Sequence, residues 1–178
     1  GKAPEHPVHS VRWIETVKWC NARSEMEGLR PCYYVGGNVL RTGSTEPDVD
    51  WSANGYRLPT EAEWEKAARG GVSGKRFPWA TDTITHNEAN YRSTTEHVYD
   101  ISATRGTHPT WTDASSVFSS PVGSFAANAY GLHDMCGNMW EWCWDRYGGN
   151  YYASSVGTWN PRGPTTGTNR VLRGGSWN

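Results

Sequence analysis

The stretch "NAYGLHDMCGNMWEWCWD", residues 128–145, limits most tightly what this chain can become. Its eighteen positions hold three Trp, two Cys, two Gly, two Asn, two Asp and one Glu. Neither a two-residue alternation of apolar positions nor a 3.6-residue repeat runs through it. Something other than a helix or sheet ladder is therefore expected to fix it. The carboxylates of Asp134 and Glu141, on either side of a Gly-Asn pair, suit either a loop curled around an ion or turn caps that pair with Arg146 or Arg170.

The rest of the composition agrees with an irregular fold. The 178 residues suit one domain. Charged residues make up 20% and the net charge is −1, so the basic footprint of a nucleic-acid binder is absent. Eleven Trp and nine Tyr stand against three Phe. Trp and Tyr bury large areas while keeping a polar handle, so a core made of them can hydrogen-bond loop backbone. No 18-residue apolar run exists, and no membrane span is expected. Four cysteines are too few for a disulfide scaffold. Pairs Cys20–Cys32 and Cys136–Cys143 are open, but free or buried thiols are the expectation, and no CxxC spacing suggests zinc.

Along the chain, Trp13, Ile14, Val17 and Cys20 mark a helix over about 13–27, with Ser10 upstream as a cap candidate and Gly28 as its stop. "CYYV" (32–35) reads as a strand before a Gly36-Gly37 turn, and 41–56 as loop. In "GYRLPTEAEWEKAARGG" (55–71), Thr60 and Glu63 form a capping box. Acidic residues open that helix, Lys66 and Arg69 close it, and Gly70-Gly71 stops it. Residues 72–127 lack periodicity. "GGNYYASS" and "NPRGPTTG" read as turns, and "RVLRGGSW" (170–177) as a strand running into a Gly-Gly turn.

These blocks, with "VHSVRWIETVKWCNARSEMEGL", "PVGSFAANAYGLHDMCGNMWEWCWD" and "RVLRGGSWN", resemble the formylglycine-generating enzyme, or sulfatase-modifying factor, family. The resemblance implies an α+β fold, a C-type lectin-like variant with short strands, two or three helices and long calcium-braced loops. Family domains usually extend ahead of "HPV" and after "GGSW", so it also implies that 1–178 is a single domain incomplete at both ends.

The family's calcium block falls on "DMCGNMWE". Carried over by position, the ligands are Asp134, the carbonyls of Gly137 and Met139, and Glu141; Asp134 stands where the family has Asn. A second family calcium site maps onto Asn90 and the carbonyl of Tyr91. Its remaining ligands fall in an inserted region where Asp100 and Asp113 are both candidates. Two substrate-binding positions also carry over: Trp140, beside the ion in the substrate groove, and Ser176, on the active-site strand.

The family's enzymes oxidise a cysteine of a partner protein with oxygen and a copper ion held by two thiolates, which suit Cu(I). Counted from Ser176, the first copper cysteine would be position 179 and the second five residues further; none of the four present cysteines matches them. Copper is therefore expected only if those cysteines exist. "GGSWN" leans toward relatives that keep the strand and lose the cysteines: sensor, kinase-attached and secretion-system domains and variable receptors. Two functions follow from the resemblance. One is non-catalytic recognition of a protein or peptide on a calcium-braced scaffold. The other is the copper-dependent oxidase.

Overall fold

A computed structural model describes residues 2–112 and 117–178. Helix α1 spans Trp13–Met26. Arg12, not Ser10, takes its N-cap position, and Glu15 reaches back to accept the Arg12 N–H at 2.8 Å. Gly28 ends the helix at φ 67°, and the Leu29 N–H returns to the Ser24 carbonyl at 2.8 Å. Only glycine enters that conformation at little steric cost. The buried face of α1 lies on a small antiparallel sheet of β1 (Tyr33–Val35), β2 (Asn38–Val39) and β3 (Asp48–Val49), ordered β2-β1-β3. β3 lies inside the stretch read as loop; at two residues it is too short to leave a periodic signal. Asn21, fully buried, clamps the sheet to the helix. Its amide donates to the carbonyls of Tyr33 (2.8 Å) and Leu40 (3.0 Å), and its oxygen accepts from the Tyr33 N–H.

Helix α2 (Glu61–Arg69) is built as its sequence dictates. Thr60 Oγ1 accepts from the Glu63 N–H at 3.2 Å, and Glu63 accepts from the Thr60 N–H at 2.9 Å. Glu65 and Arg69 pair at 2.6 Å, and Gly70 closes the helix at φ 55°. Trp64 and Ala68 are its buried residues; Ala62 and Ala67 are only half-buried.

The expectation of a wholly irregular 128–145 needs correcting. Its last five residues belong to strand β4 (Glu141–Arg146), paired antiparallel with β5 (Arg170–Arg173), Glu141 opposite Arg173 and Arg146 opposite Arg170. The strand shows no polar–apolar alternation because both of its faces are covered. Trp142 and Trp144 pack against the core under α1, while Cys143 joins Trp64, Ala68 and Val171 in a second core under α2. A register break between Trp142 and Arg146 sends the Trp144 N–H to the Pro59 carbonyl at 2.8 Å instead of to β5. A single helical turn, α3 (Tyr151–Ser154), replaces part of the stretch read as turns.

Trp and Tyr hold the core as the composition suggested. Trp144 has Trp13 and Tyr33 each at 5.4 Å and Trp51 edge-on at 5.9 Å, and the Arg170 guanidinium lies 3.7 Å over Trp13. Their polar ends bind backbone: Trp13 Nε1 donates to the Cys143 carbonyl (2.9 Å), Trp142 Nε1 to that of Val11 (3.1 Å), and the Tyr33 hydroxyl accepts from the Leu58 N–H (2.8 Å). All four cysteines are free. Among the described residues no helix is long and apolar enough to cross a membrane.

Candidate functional site

The loop from Asp134 to Trp140 leads into β4 and is stitched to three distant segments. The Gly137 N–H donates to the Gly174 carbonyl (2.8 Å), the Asn138 N–H to that of Asn90 (2.7 Å), and the Trp177 N–H to that of Asn138 (3.0 Å). The buried Asn138 side chain accepts from the Ser120 N–H at 3.0 Å and donates to the Ser120 carbonyl at 3.3 Å. Asp134, Gly137 and Asn138 all adopt positive φ, at 56°, 77° and 60°. Gly137 is required twice over: a Cβ there would sit 2.2 Å from the Asn90 carbonyl oxygen. This contact sets the two sequence-predicted ion loops back to back.

Asp134 and Glu141 line one open cavity of about 500 Å³, together with Pro7, Val8, Val122 and Trp140. One Asp134 oxygen accepts from the Gly123 N–H at 2.7 Å; the other is buried with no hydrogen-bond partner. Glu141 accepts from Trp64 Nε1 at 2.6 Å. Burial pushes the Glu141 carboxyl above its ordinary value; the Trp64 indole N–H opposes that, and the Asp134 charge adds to it. No arginine or lysine forms a salt bridge with either carboxylate among the described residues; Arg146 and Arg170 turn instead to Glu46. A stranded carboxylate oxygen in the same cavity as a second, half-buried carboxyl suits a hard cation such as calcium, which takes about six to eight oxygens. Among the described residues no three His, Cys, Asp or Glu side chains gather into a ready-made cluster. An ion here would therefore need backbone carbonyls as well; Met139 lines the same cavity, whereas Gly137 lies outside its lining.

The second candidate set is only partly assembled. Asn90 Oδ1 is buried and unpartnered, while its amide donates to the Phe118 carbonyl at 2.7 Å. The Tyr91 carbonyl lies 3.1 Å from His86 Nε2. Asp100 is occupied elsewhere: it accepts from the Tyr91 hydroxyl (2.7 Å) and the N–H groups of Thr94 (2.9 Å) and Ser102 (3.1 Å), with Arg105 at 3.2 Å. Burial raises its carboxyl, but the Ser93 and Tyr91 hydroxyls and the Ser102 and Thr94 N–H groups outweigh burial and hold it well below the usual carboxylate range. Asp113 lies outside the described residues.

Trp140 is 54% exposed and stands between the 500 Å³ cavity and a second one of about 260 Å³. Ser176 is buried, and its hydroxyl donates to Asn178 Oδ1 at 2.6 Å. The thiols are held protonated by burial: Cys20 is pushed up to about 11 and Cys136 and Cys143 to about 12, while Cys32 is raised less. Sequence reasoning missed Trp64 as the partner of Glu141 and Asn138 as the clamp on Ser120. The capping box marked the helix that carries Trp64, but nothing local signals a bond across 77 residues.

Comparison with known proteins gives the family and the fold. The profile of the Sulfatase-modifying factor enzyme 1-like domain matches residues 1–178. The chain is similar to a formylglycine-generating enzyme of Thermomonospora curvata, 42% identical over 178 residues, covering 98% of this chain and 45% of that protein. It is likewise similar to a serine/threonine-protein kinase pkn1 of Chlamydia caviae, 41% identical over 211 residues, covering 99% of this chain and 30% of that one. Among solved structures, Treponema denticola variable protein 1 superposes with a TM-score of 0.68 at 31% identity, over 97% of this chain and 60% of that one. The chain thus spans less than half the length of the two curated relatives.

Proposed function

Because this chain belongs to the sulfatase-modifying factor enzyme 1-like family, we propose that it is a recognition domain, binding a protein or peptide without catalysing a reaction, with its 134–141 loop braced by calcium. Trp140 carries this reading. A half-exposed indole, set between two cavities on a loop tied to three other segments, is a rigid aromatic anchor that loses little entropy on binding. The relatives' names, an enzyme, a kinase and a variable protein, fit a fold whose function is set by grafted sites.

Calcium would be held by Asp134, Glu141 and the carbonyls of Gly137 and Met139. Asn90 and the Tyr91 carbonyl are the start of a second site. Bound between Asp134 and Glu141, the ion would neutralise two carboxylates that line one cavity and fix the loop that presents Trp140. Melting the protein with calcium and with excess EGTA tests this. A ligand at about a hundred times its Kd adds roughly 2.7 kcal/mol, so calcium is expected to raise the melting temperature by several degrees. An unchanged melt removes calcium from the proposal.

The second reading is the copper- and oxygen-dependent oxidase acting on a partner's cysteine, favoured by the 42% identity to a formylglycine-generating enzyme. The four cysteines of this chain are poor candidates for its copper ligands, because burial keeps them as neutral thiols. Titrating the intact protein with Cu(I) separates the readings: one tight equivalent supports the oxidase, and none supports recognition.

A further inference from the structure

The far side of Trp140 has a chemistry that the calcium loop does not explain. The 260 Å³ cavity there is apolar at its walls, with Trp64, Phe77, Pro78, Met135 and Trp140. It opens through Arg69, Lys75 and Arg76 into a shallow trough of about 850 Å³ floored by Tyr99. Among the described residues, four cations, these three and Arg173, line the two spaces with Glu65 and Asp82, and Glu61 also pairs with Arg173, on a chain whose net charge is −1.

The two carboxylates are already committed. Glu65 pairs with both Arg69 and Arg173, and Asp82 with Lys75 at 2.7 Å. Arg76 has no carboxylate within salt-bridge range among the described residues; its guanidinium rests 4.4 Å over the Tyr99 ring. Arg173 Nε is buried without a hydrogen-bond partner, the Glu61 carboxylate standing 3.7 Å away, beyond hydrogen-bond reach. Beside the slot, Phe77 and Trp79 stack parallel at 5.3 Å, and Val98, 97% exposed, lies on the trough wall. A one-side-chain apolar slot leading into a cation-rich aromatic trough is complementary to an apolar or aromatic anchor followed by carboxylates.

We propose that the slot beside Trp140 and the Arg69–Lys75–Arg76 trough together bind an acidic peptide segment, its apolar residue in the slot and its carboxylates along the trough. This rests on the recognition reading above and names its ligand class. A peptide fits better than a nucleic acid because the slot takes a single side chain, and Glu65 and Asp82 sit within the cationic surface, where a phosphate backbone would meet them.

Calorimetric titration of the intact protein tests it with three acetylated, amidated hexapeptides of alternating residues: aspartate–phenylalanine, asparagine–phenylalanine and lysine–phenylalanine. The aspartate peptide is expected to bind at least roughly tenfold more tightly than the asparagine one, with the preference shrinking as salt rises. Lys75→Gln and Arg76→Gln, both at exposed positions, should each weaken only the aspartate peptide, by roughly threefold to tenfold. Trp140→Ala should weaken the aspartate and asparagine peptides alike. Equal binding of the three peptides, no effect of either Gln variant, or tighter binding of a decathymidylate than of the aspartate peptide overturns the acidic-peptide assignment. If the charge swap has no effect while Trp140→Ala still abolishes binding, the recognition reading stands and only the ligand class falls.

Discussion

At Glu141, burial and the Trp64 indole N–H act on one carboxyl in opposite directions, and burial wins. A carboxyl whose folded pKa is raised binds its proton more tightly in the native state than in the unfolded chain. Between the ordinary value of 4.5 and the raised one, the folded form therefore holds more protons, and stability falls as pH rises through that window. Above it the full penalty remains, unless a cation shares the site. Glu141→Gln keeps an acceptor for Trp64 and removes the charge. In EGTA the variant is expected to melt a few degrees higher than the parent at pH 7, with the difference closing toward pH 4; in calcium the order should reverse. Melts from pH 4 to 7.5 check this, and a difference that does not vary with pH contradicts it. The residue types at 134 and 141 could be read from the sequence because hard-ligand chemistry is a property of the side chain itself. Their surroundings could not: Gly123, Trp64 and Asn90 arrive from elsewhere in the chain.

Among the elements, α2 was the most legible, since capping, the i,i+4 pair and the glycine stop all act within a few residues. β4 was the least legible, because a strand covered on both faces loses the alternation that reveals strands. The two elements are also joined by a contact outside either pattern. Asp145 of β4, 1% exposed, accepts from the Glu61 N–H at the start of α2 (3.0 Å) and from the Tyr152 hydroxyl (3.0 Å). α2 thus has a local cap and a remote one. Losing a local cap costs about 1 kcal/mol. Tyr152 is 37% exposed, so its hydroxyl can turn to water, but the half-buried Glu61 N–H loses its partner, and leaving a buried donor unpaired costs about 1–3 kcal/mol. Urea unfolding should show Asp145→Ala losing more stability than Thr60→Ala, by about 1–3 kcal/mol. A larger loss for Thr60→Ala would mean that the remote contact contributes little.

For the whole molecule, the balance between ladders and side chains decides how it resists unfolding. Among the described residues, two small sheets and three helices leave most positions irregular, and all four cysteines are free. Side-chain bonds to backbone take that role, as at Asn21, Asn128 (to the Ala67 carbonyl, 2.7 Å) and Asn138. The unfolding midpoint should therefore be the same with and without a thiol reductant; a fall of several degrees in reductant would reveal a crosslink that this structure lacks. The family fold was legible because its blocks are contiguous stretches of sequence. The basic trough beside Trp140 was not, because residues 69–76, 82, 99 and 173 meet there only after folding.

The distribution of indoles has an optical consequence. Of the eleven, Trp19, Trp140 and Trp159 face water and the others are at least partly enclosed. An indole in water emits at longer wavelength than an enclosed one. With phenylalanine at 19 and 159, the red edge of the protein's ultraviolet fluorescence would come chiefly from Trp140, so the proposed binding slot would have a built-in chromophore that reports its occupancy without any added dye.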